Sequence, residues 1–248
     1  MRLYFIALQF LTIIPLPFQL RCGERDLGRS MAFFPLAGLT LGGVLAGADF
    51  LLVQVLPRPV SDLLLVAFLA LLTGALHLDG LADVCDGLAA RGGRERFLAV
   101  MKDSRVGAVG VVGLVLGLLL KYQALLQVPL AEKRAALFLF PAVARCCQVL
   151  MTVGARSARL DGLGTAFIGG AGFVQLLAAY LVMLPAAYLL SGWRGIAIVF
   201  ILSAMTWFCR WYFTRRLGGI TGDVIGCASE LSEIGALILI LSLSTLHV

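Results

Sequence analysis

The sequence predicts an all-α, polytopic integral membrane protein, and two observations support that fold class. Of its 248 residues, 60% are hydrophobic and only 14% are charged, whereas charged residues make up roughly a quarter of a typical soluble domain. The charges also cluster, and they leave apolar runs of about twenty residues, the length that a helix needs to cross a bilayer. We therefore expect a single helical membrane domain over residues 1–248.

About seven membrane spans are predicted from the apolar runs. They are 31–55, 61–77, 105–127, 134–154, 172–191, 195–213 and 234–247. Before them, residues 3–17 are apolar but lack the basic start and the small-residue cleavage site of a signal peptide. Because Pro15 and Pro17 would end a helix, we interpret this segment as short and interfacial or re-entrant. Glycines within the spans suit close helix packing in lipid.

The basic residues predict how the spans are oriented. Thirteen Lys and Arg residues fall in segments 20–30, 78–105, 155–170 and 210–233, and four fall in the connections on the other face. Under the positive-inside rule the first face is cytoplasmic, which places the C-terminus outside. Most acidic residues gather on the same face, which that rule does not require. The sequence therefore indicates a polar working surface there.

Three closely spaced aspartates lie in HLDGLADVCDGL, at residues 77–88. Asp79, Asp83 and Asp86 are four and three positions apart, so on a helix they share one face. Like charges at this spacing destabilise a helix unless something neutralises them. Mg²⁺ is a natural neutraliser because it takes oxygen ligands and often bridges to substrate phosphates. A solvated amphipathic connector explains the spacing equally well.

Basic residues directly after the acids favour the metal-site interpretation. They are Arg91, Arg94 and Arg96, followed by Lys102, Asp103, Ser104 and Arg105 in MKDSRVGAVGV. Facing acidic and basic clusters can hold a metal ion and phosphate together, as phosphoryl chemistry requires. Residues 83–91 also match D-x2-D-G-x2-A-R, the first half of the CDP-alcohol phosphotransferase signature, although the second half is absent. The partial match points to displacement at a nucleotide pyrophosphate.

A second polar stretch is RRLGGITGDVIGCASELSE, at residues 215–233. Its glycines flank Thr221 and Asp223, and Glu230 follows one or two turns later. We interpret it as a glycine-rich loop whose backbone N–H groups could cradle a phosphate. The G-K-[ST] of a Walker loop is absent, and a generic loop explains the composition at least as well.

Polar residues in or beside the spans add further candidates. Arg159, in ARLDGLGTAFIG, lies on the same predicted face. Arg145 lies inside the fourth span, where an arginine is costly and usually faces a polar site; snorkelling or pairing, for instance with Asp49, is equally compatible. Lys121 is interpreted as snorkelling to the outer interface. His77 could contact substrate, transfer a proton or cap the span.

The polar stretches as a set resemble one known family. HLDGLADVCDGL, MKDSRVGAVG, ARLDGLGTAFIG and GGITGDVIGCASELSE, in this order, resemble the cobalamin synthase family of adenosylcobinamide-GDP ribazoletransferases. ALQFLTIIPLP and FFPLAGLTLG resemble its opening segment, so the resemblance runs from about residue 7 to 240. The string HLDGLAD-x-x-DG is the most specific. One departure is that Ile13 follows Thr12, where the family typically has Arg.

The resemblance implies an integral enzyme of the bacterial or archaeal cytoplasmic (inner) membrane, with its active site facing the cytoplasm. The implied reaction moves the adenosylcobinamide-phosphate unit of adenosylcobinamide-GDP to α-ribazole or α-ribazole 5′-phosphate and releases GMP, late in vitamin B12 assembly. Mg²⁺ is the expected cofactor. The substrates and the lipid bilayer are the expected partners, with no nucleic acid; a homo-oligomer and association with other B12-assembly enzymes are left open.

On this basis the candidate residues receive expected roles. The expected metal ligands are Asp79, Asp83, Asp86 and Asp103. The expected catalytic residues are Asp83, Asp86, Asp223, Lys102 and Arg105. The expected substrate-binding residues are His77, Arg91, Ser104, Arg145, Arg159, Thr221, Gly222 and Glu230. Which acid acts as the general base is left open.

Two other classes of protein stay open from the residues alone. A membrane prenyltransferase also uses D-x3-D, which Asp79 and Asp83 fit, but Ala75 stands where that family has Asn and no second D-x3-D appears. A cation or metabolite transporter would explain Lys121 and Arg145 inside the spans. Against a transporter, the acids concentrate at one face and no internal repeat is evident. Release of GMP from adenosylcobinamide-GDP would discriminate among the three.

Overall fold

The computed structural model describes residues 1–15, 22–159 and 162–245, and these residues fold into α-helices joined by short turns. The helices are α1 (Arg2–Leu11), α2 (Glu24–Ser30), α3 (Phe34–Leu52), α4 (Arg58–Leu72), α5 (Leu76–Ala89), α6 (Arg94–Val100), α7 (Ala108–Gln127), α8 (Leu130–Thr152), α9 (Leu163–Gly170), α10 (Phe173–Leu217) and α11 (Gly222–Thr245), with a 3₁₀ turn at Met31–Phe33. No strand occurs in the described ranges beyond one isolated bridge. The predicted all-α class is confirmed.

Five helical segments of the described chain are long and apolar enough to cross a membrane. They are Glu24–Leu52, Ala108–Gln127, Leu130–Thr152, Phe173–Leu217 and Gly222–Ser244. Helices α4 and α5 meet this condition only together, across an 89° bend. The chain is therefore a polytopic helical membrane protein, while the count of about seven spans stays a prediction.

Helix α1 is the N-terminal apolar segment, and it is too short to cross a bilayer. Its ten residues extend about 15 Å at 1.5 Å per residue, about half the thickness of the hydrocarbon core. It ends at Leu11, before Pro15, and Pro17 lies outside the described residues. This length agrees with a short interfacial or re-entrant segment.

Helix α10 is a hairpin, not one straight helix. Ser191 and Gly192 have non-helical backbone angles. On either side of these two residues, the hydroxyls of Tyr180 and Ser203 are 2.6 Å apart. In a straight helix, 23 residues would separate them by about 34 Å. The chain therefore reverses at Ser191–Gly192, and its two arms correspond to the fifth and sixth predicted spans.

A sharp bend separates α4 from α5. Gly74 and Ala75 both adopt left-handed backbone angles, with φ of 58° and 55°, a region that glycine enters freely and alanine rarely. The predicted span 61–77 is thus wrong at its end, because α4 stops at Leu72 and His77 lies in the first turn of α5. Helix α5 turns away from α4 at this bend and carries three aspartates, and by itself it is not among the helices long and apolar enough to cross a membrane.

Helix α8 is the centre of the bundle, and it packs against α3, α10 and α11. The α3 contact depends on glycine: a Cβ at Gly38 would lie 2.6 Å from the Cα of Ala142, and one at Gly42 would lie 2.5 Å from the Cα of Phe138. Only residues without a side chain permit this approach. The prediction that glycines mediate close helix packing is confirmed for this pair.

Helix α11 begins twelve residues earlier than the predicted last span, 234–247, whose final residues lie outside the described range. It starts at Gly222 and α10 ends at Leu217, so the interpretation of 215–233 as a glycine-rich loop is wrong except for the turn at residues 218–221. The polar residues suggested a loop, but Ser229, Glu230 and Glu233 are buried in the bundle. A membrane helix accommodates such residues where other buried groups pair with them.

Candidate active site

A cavity of about 230 Å³ lies where α5, α8, α9 and α11 meet, next to α1 and the 3₁₀ turn. Its wall combines apolar side chains with polar groups from four separate parts of the chain. The predicted site residues that line it are His77, Asp79, Arg159, Thr221, Gly222 and Asp223. The tertiary structure therefore brings three of the four polar stretches into one concave site.

Close backbone packing between α5 and α11 positions the carboxylates of the cavity. A Cβ at Gly80 would lie 2.6 Å from the carbonyl oxygen of Asp223, and one at Gly226 would lie 3.3 Å from the Cα of His77. Glycine at these two positions lets the first turns of the helices touch. Asp79 and Asp223, 144 positions apart in the sequence, consequently line the same cavity.

The cavity carries more negative than positive charge. Arg159 Nη1 lies 2.9 Å from Asp223 Oδ2, and among the described lining residues Arg159 is the one Lys or Arg. Burial, together with the charges of Asp79 and Asp223, raises the pKa of Asp83 to about 7, against the opposing effect of Arg159. Asp83 itself does not line the cavity but lies one turn after Asp79 on α5. A cation near these acids would relieve their repulsion.

Asp86 faces a different element. Its Oδ2 accepts the backbone N–H of Gly107 at 2.7 Å, and its Oδ1 accepts that of Gly110 at 2.7 Å. These are unpaired N–H groups of the first turn of α7, so Asp86 acts as a cap supplied by another helix. A Cβ at either glycine would approach an Asp86 carboxylate oxygen to 2.5 Å or less. The predicted trio of acids thus diverges, and Asp86 joins α5 to α7.

The predicted basic cluster lies on the surface, outside the cavity lining. Lys102, Asp103, Ser104 and Arg105 are exposed between α6 and α7. Arg105 donates to both carboxylate oxygens of Asp103, at 3.1 and 2.9 Å, and these bonds lower the pKa of Asp103 to about 2. Arg91 is also exposed, directly after α5. The structure does not bring this group together with Asp79 and Asp223.

Arg145 and Glu230 do not line the cavity. They belong to a buried ion network of α7, α8 and α11. Lys121 Nζ lies 2.6 Å from Glu230 and 2.5 Å from Glu233, and Arg145 Nη1 lies 2.5 Å from Glu233. The interpretation of Lys121 as a snorkelling residue is wrong, since its side chain is 4% exposed. Pairing of Arg145 with Asp49 is also wrong. Two cations and two carboxylates make the network formally neutral.

Sequence reasoning missed the polar side of the cavity that α8 supplies. Gln148 and Thr152 line the cavity, and Gln148 Nε2 lies 2.6 Å from His77 Nε2. These residues are three and seven positions after Arg145, on the same helical face. A search for polar residues at helical spacing from the buried arginine would have found them.

Sequence reasoning also missed an aromatic wall. The ring centroids of Phe10 and Phe167 are 4.4 Å apart, and those of Phe34 and Phe167 are 5.8 Å apart. All three rings line the cavity. They come from α1, α3 and α9, so spacing within any one helix could not reveal them.

The carboxylates of the cavity fit a metal ion only in part. Among the described residues, no three His, Cys, Asp or Glu side chains are grouped so as to hold a metal ion. Mg²⁺, however, commonly binds one or two protein carboxylates and completes its shell with water and substrate phosphates. Asp79, Asp83 and Asp223 lie close together with Arg159 as the cation paired with Asp223, so these three acids carry more negative charge than Arg159 offsets, whereas Asp86 is bound by the backbone of α7 and Asp103 by Arg105.

Comparison with known proteins gives consistent matches over almost the whole chain. A family model described as cobalamin-5-phosphate synthase matches residues 3–241. A Geotalea daltonii protein named adenosylcobinamide-GDP ribazoletransferase is 66% identical over 234 residues, 94% of each chain. Proteins of the same name from Pseudomonas syringae pv. syringae and Acetivibrio thermocellus are 38% and 34% identical, over 95% and 93% of this chain and 97% and 93% of theirs. No solved structure matches.

Proposed function

This chain belongs to the cobalamin-5-phosphate synthase family, a family of transferases in cobalamin biosynthesis, and we propose that it transfers the adenosylcobinamide-phosphate unit of adenosylcobinamide-GDP to α-ribazole or α-ribazole 5′-phosphate. The observation that carries the proposal is the meeting of Asp79, Arg159 and Asp223 in one cavity. Carboxylates beside an arginine suit a pyrophosphate substrate, because they can hold a metal ion while the arginine faces phosphate oxygens.

The proposed reaction is a displacement at phosphorus. A ribose hydroxyl of the acceptor other than the 5′-hydroxyl attacks the phosphorus attached to cobinamide and forms a new O–P bond. The bond from that phosphorus to the bridging oxygen breaks, and GMP leaves with the electron pair. With α-ribazole 5′-phosphate as acceptor, the 5′-oxygen already carries a phosphate that the product keeps, so another ribose hydroxyl must attack. If the same hydroxyl attacks in α-ribazole, one displacement serves both acceptors.

Asp83 has the pKa best suited to a general base among the acids. A catalytic base works best with a pKa near the operating pH, and the surroundings of Asp83 raise its pKa to about 7. The proton of the attacking hydroxyl would move to its carboxylate. Asp83 lies one turn after Asp79 on α5 and does not line the cavity. The proton would therefore reach its carboxylate either when the acceptor lies at the mouth of the cavity or through one intervening water.

Asp79 and Asp223, with Asp83 beside them, would hold Mg²⁺. When bound there, the ion would offset the charge of the pyrophosphate and of the departing GMP. Arg159 would shift from Asp223 toward a phosphate oxygen. Thr221 and Gly222, at the start of α11, would add backbone N–H groups, since a helix N-terminus favours phosphate. Lys102 and Arg105 are exposed outside the cavity lining. They would attract the anionic substrate and would not touch the reacting atoms.

The aromatic wall would receive the base of the acceptor. The corrin ring of the donor is far larger than a cavity of about 230 Å³, so it would stay outside while a smaller part of a substrate enters. Phe10, Phe34 and Phe167 offer apolar faces for a flat aromatic base. His77 and Gln148 supply polar groups on another side of the same cavity.

We further propose that the cavity faces the cytoplasm, that the chain lies in the cytoplasmic (inner) membrane and that the C-terminus is outside. The support is the excess of basic residues in the segments that surround the cavity. The nucleotide substrate is available on that side.

The test is GMP release by the purified protein in detergent, with and without Mg²⁺. We expect release only with adenosylcobinamide-GDP, α-ribazole and Mg²⁺ together. Asp79→Asn and Asp223→Asn should each lower the rate by about 10²-fold or more. Glu95→Gln, which changes an exposed carboxylate on α6, should keep the rate. Full Mg²⁺-dependent activity in both aspartate variants would disprove the proposed site, and absence of GMP release would disprove the function.

A further inference from the structure

A second cavity, of about 390 Å³, lies between α3 and the starts of α4 and α8. It is far from the first. Phe34 lines the first cavity and Asp49 the second, and these residues are 15 positions apart on α3, or about 22 Å. Lys133 and Gln148 on α8 show the same separation. The two cavities therefore lie toward opposite ends of the bundle.

Charged side chains on the wall of the second cavity are held in fixed positions by ion pairs. Arg58 Nη1 lies 2.5 Å from Asp49 Oδ1 and 3.5 Å from Asp62 Oδ1. Lys133 Nζ lies 2.9 Å from Asp62 Oδ2, and both of those side chains are at most 3% exposed. Arg58 and Lys133 are thus each held by a carboxylate. Little of their side-chain freedom is therefore lost when an anion binds.

The cavity carries one positive charge in excess. Arg134 also lines it, is exposed, and pairs with no carboxylate of the described chain. Three cations, Arg58, Lys133 and Arg134, therefore stand against two carboxylates, Asp49 and Asp62. Because a phosphodiester carries one negative charge, a phosphodiester group would neutralise the cluster.

We propose that this cavity binds the phosphate of an anionic lipid headgroup. Large apolar side chains next to the cations favour a lipid over free phosphate: Phe50 and Leu130 line the cavity and are 61% and 71% exposed. These side chains can contact acyl chains while Arg58 and Arg134 face the phosphate. Arginine guanidinium groups bind phosphate oxygens through charge-assisted hydrogen bonds, so Arg58 and Arg134 suit a phosphodiester headgroup. The lipid would join α3, α4 and α8 at the end of the bundle opposite the first cavity.

The experiment compares thermal unfolding of the delipidated full-length protein in detergent with three additions. They are phosphatidylglycerol, phosphatidylcholine with the same acyl chains, and inorganic phosphate at matched ionic strength. At about 100 times its Kd, phosphatidylglycerol should raise the unfolding midpoint by roughly 5–10 °C. The other two additions should give much smaller shifts. An equal shift with phosphatidylcholine, or with inorganic phosphate alone, would overturn the proposal.

Two matched variants show whether the effect belongs to this cavity. Arg134→Gln should lose most of the phosphatidylglycerol shift, because it removes the unpaired cation from an exposed position. Arg194→Gln removes a cation that pairs with Glu132 and does not line the cavity, so it should keep the shift. Native mass spectrometry should detect bound phosphatidylglycerol on the unmodified protein and on Arg194→Gln, and less on Arg134→Gln. Equal losses in both variants would indicate a general charge effect and refute the site.

Discussion

Asp86, near the end of α5, accepts a hydrogen bond of 2.7 Å from the backbone N–H of Gly107, which immediately precedes α7. The second carboxylate oxygen accepts the N–H of Gly110. Asp79, on the same face of α5, instead lines the cavity. The motif thus divides its acids between two positions, one in the cavity wall and one at the contact with α7.

Asp86→Ala is expected to destabilise the fold more than it changes metal binding. It removes two hydrogen bonds to a charged acceptor and leaves two N–H groups of α7 without that partner, a loss of about 2–4 kcal/mol. The unfolding midpoint of the purified protein should fall, while the Mg²⁺ affinity of the folded fraction stays within a few-fold of the original. Asp79→Asn should show the reverse pattern. An unchanged midpoint with abolished Mg²⁺ binding in Asp86→Ala would identify Asp86 as a direct ligand.

The raised pKa of Asp83 predicts a pH-dependent effect of Asp83→Asn on the metal-free protein. The folded chain holds this proton up to about pH 7, whereas an unfolded chain releases it near pH 4. Between these values the folded state binds more protons, so the contribution of Asp83 to stability falls as pH rises and is lost above about 7. The neutral Asn variant should therefore unfold at a higher temperature than the original at pH 8, with little difference near pH 4. Glu95→Gln should show no such trend.

Mg²⁺ provides the second half of that test. If Asp83 helps to hold the ion, Mg²⁺ should stabilise the original protein at pH 8 more than at pH 5, because protons compete with the ion. A difference between Asp83→Asn and the original that is the same at pH 5 and pH 8 would contradict the raised pKa.

Lys121→Met should destabilise the bundle strongly. The substitution leaves Glu230 and Glu233 with Arg145 as the remaining cation of the network, and an unpaired buried charge costs about 3–5 kcal/mol. Adding Glu230→Gln restores neutrality, so the double variant should recover much of the loss. Thermal unfolding in detergent measures both. If the double variant is no more stable than the single one, charge balance is not what holds this network.

Phe167→Leu should weaken binding of the acceptor and spare the donor. Loss of the aromatic contacts should weaken the free energy of acceptor binding by about 0.5–1.5 kcal/mol. This change raises the KM for α-ribazole by up to about 10-fold. The KM for adenosylcobinamide-GDP should stay unchanged in the same GMP-release assay. Phe208→Leu, on an exposed ring of α10 stacked on Trp211, is the matched control. Equal increases in both KM values would argue against an acceptor-specific wall.

Composition and local motifs are enough to predict the class of protein and the stretches of the chain that carry its polar candidate residues. Apolar runs of bilayer length leave few alternatives to helices, because backbone polar groups in lipid must be satisfied within the segment. Gly92 and Gly93 mark the break between α5 and α6, because paired glycines interrupt a helical pattern. His77, Asp79, Arg159 and Asp223 were named from their local context, and the tertiary structure places all four in one cavity.

Which polar groups are partners depends on how distant helices pack against one another. Lys121 and Glu233 are 112 positions apart, and nothing in either local pattern specifies the other. Helical spacing predicts that Asp79 and Asp86 share a face of α5, so they look equivalent in the sequence. It does not predict which helix packs against each turn. A buried charge needs a partner to offset its lost hydration, and long-range helix packing supplies it. For that reason the sequence identified the polar residues, while their pairing required the fold.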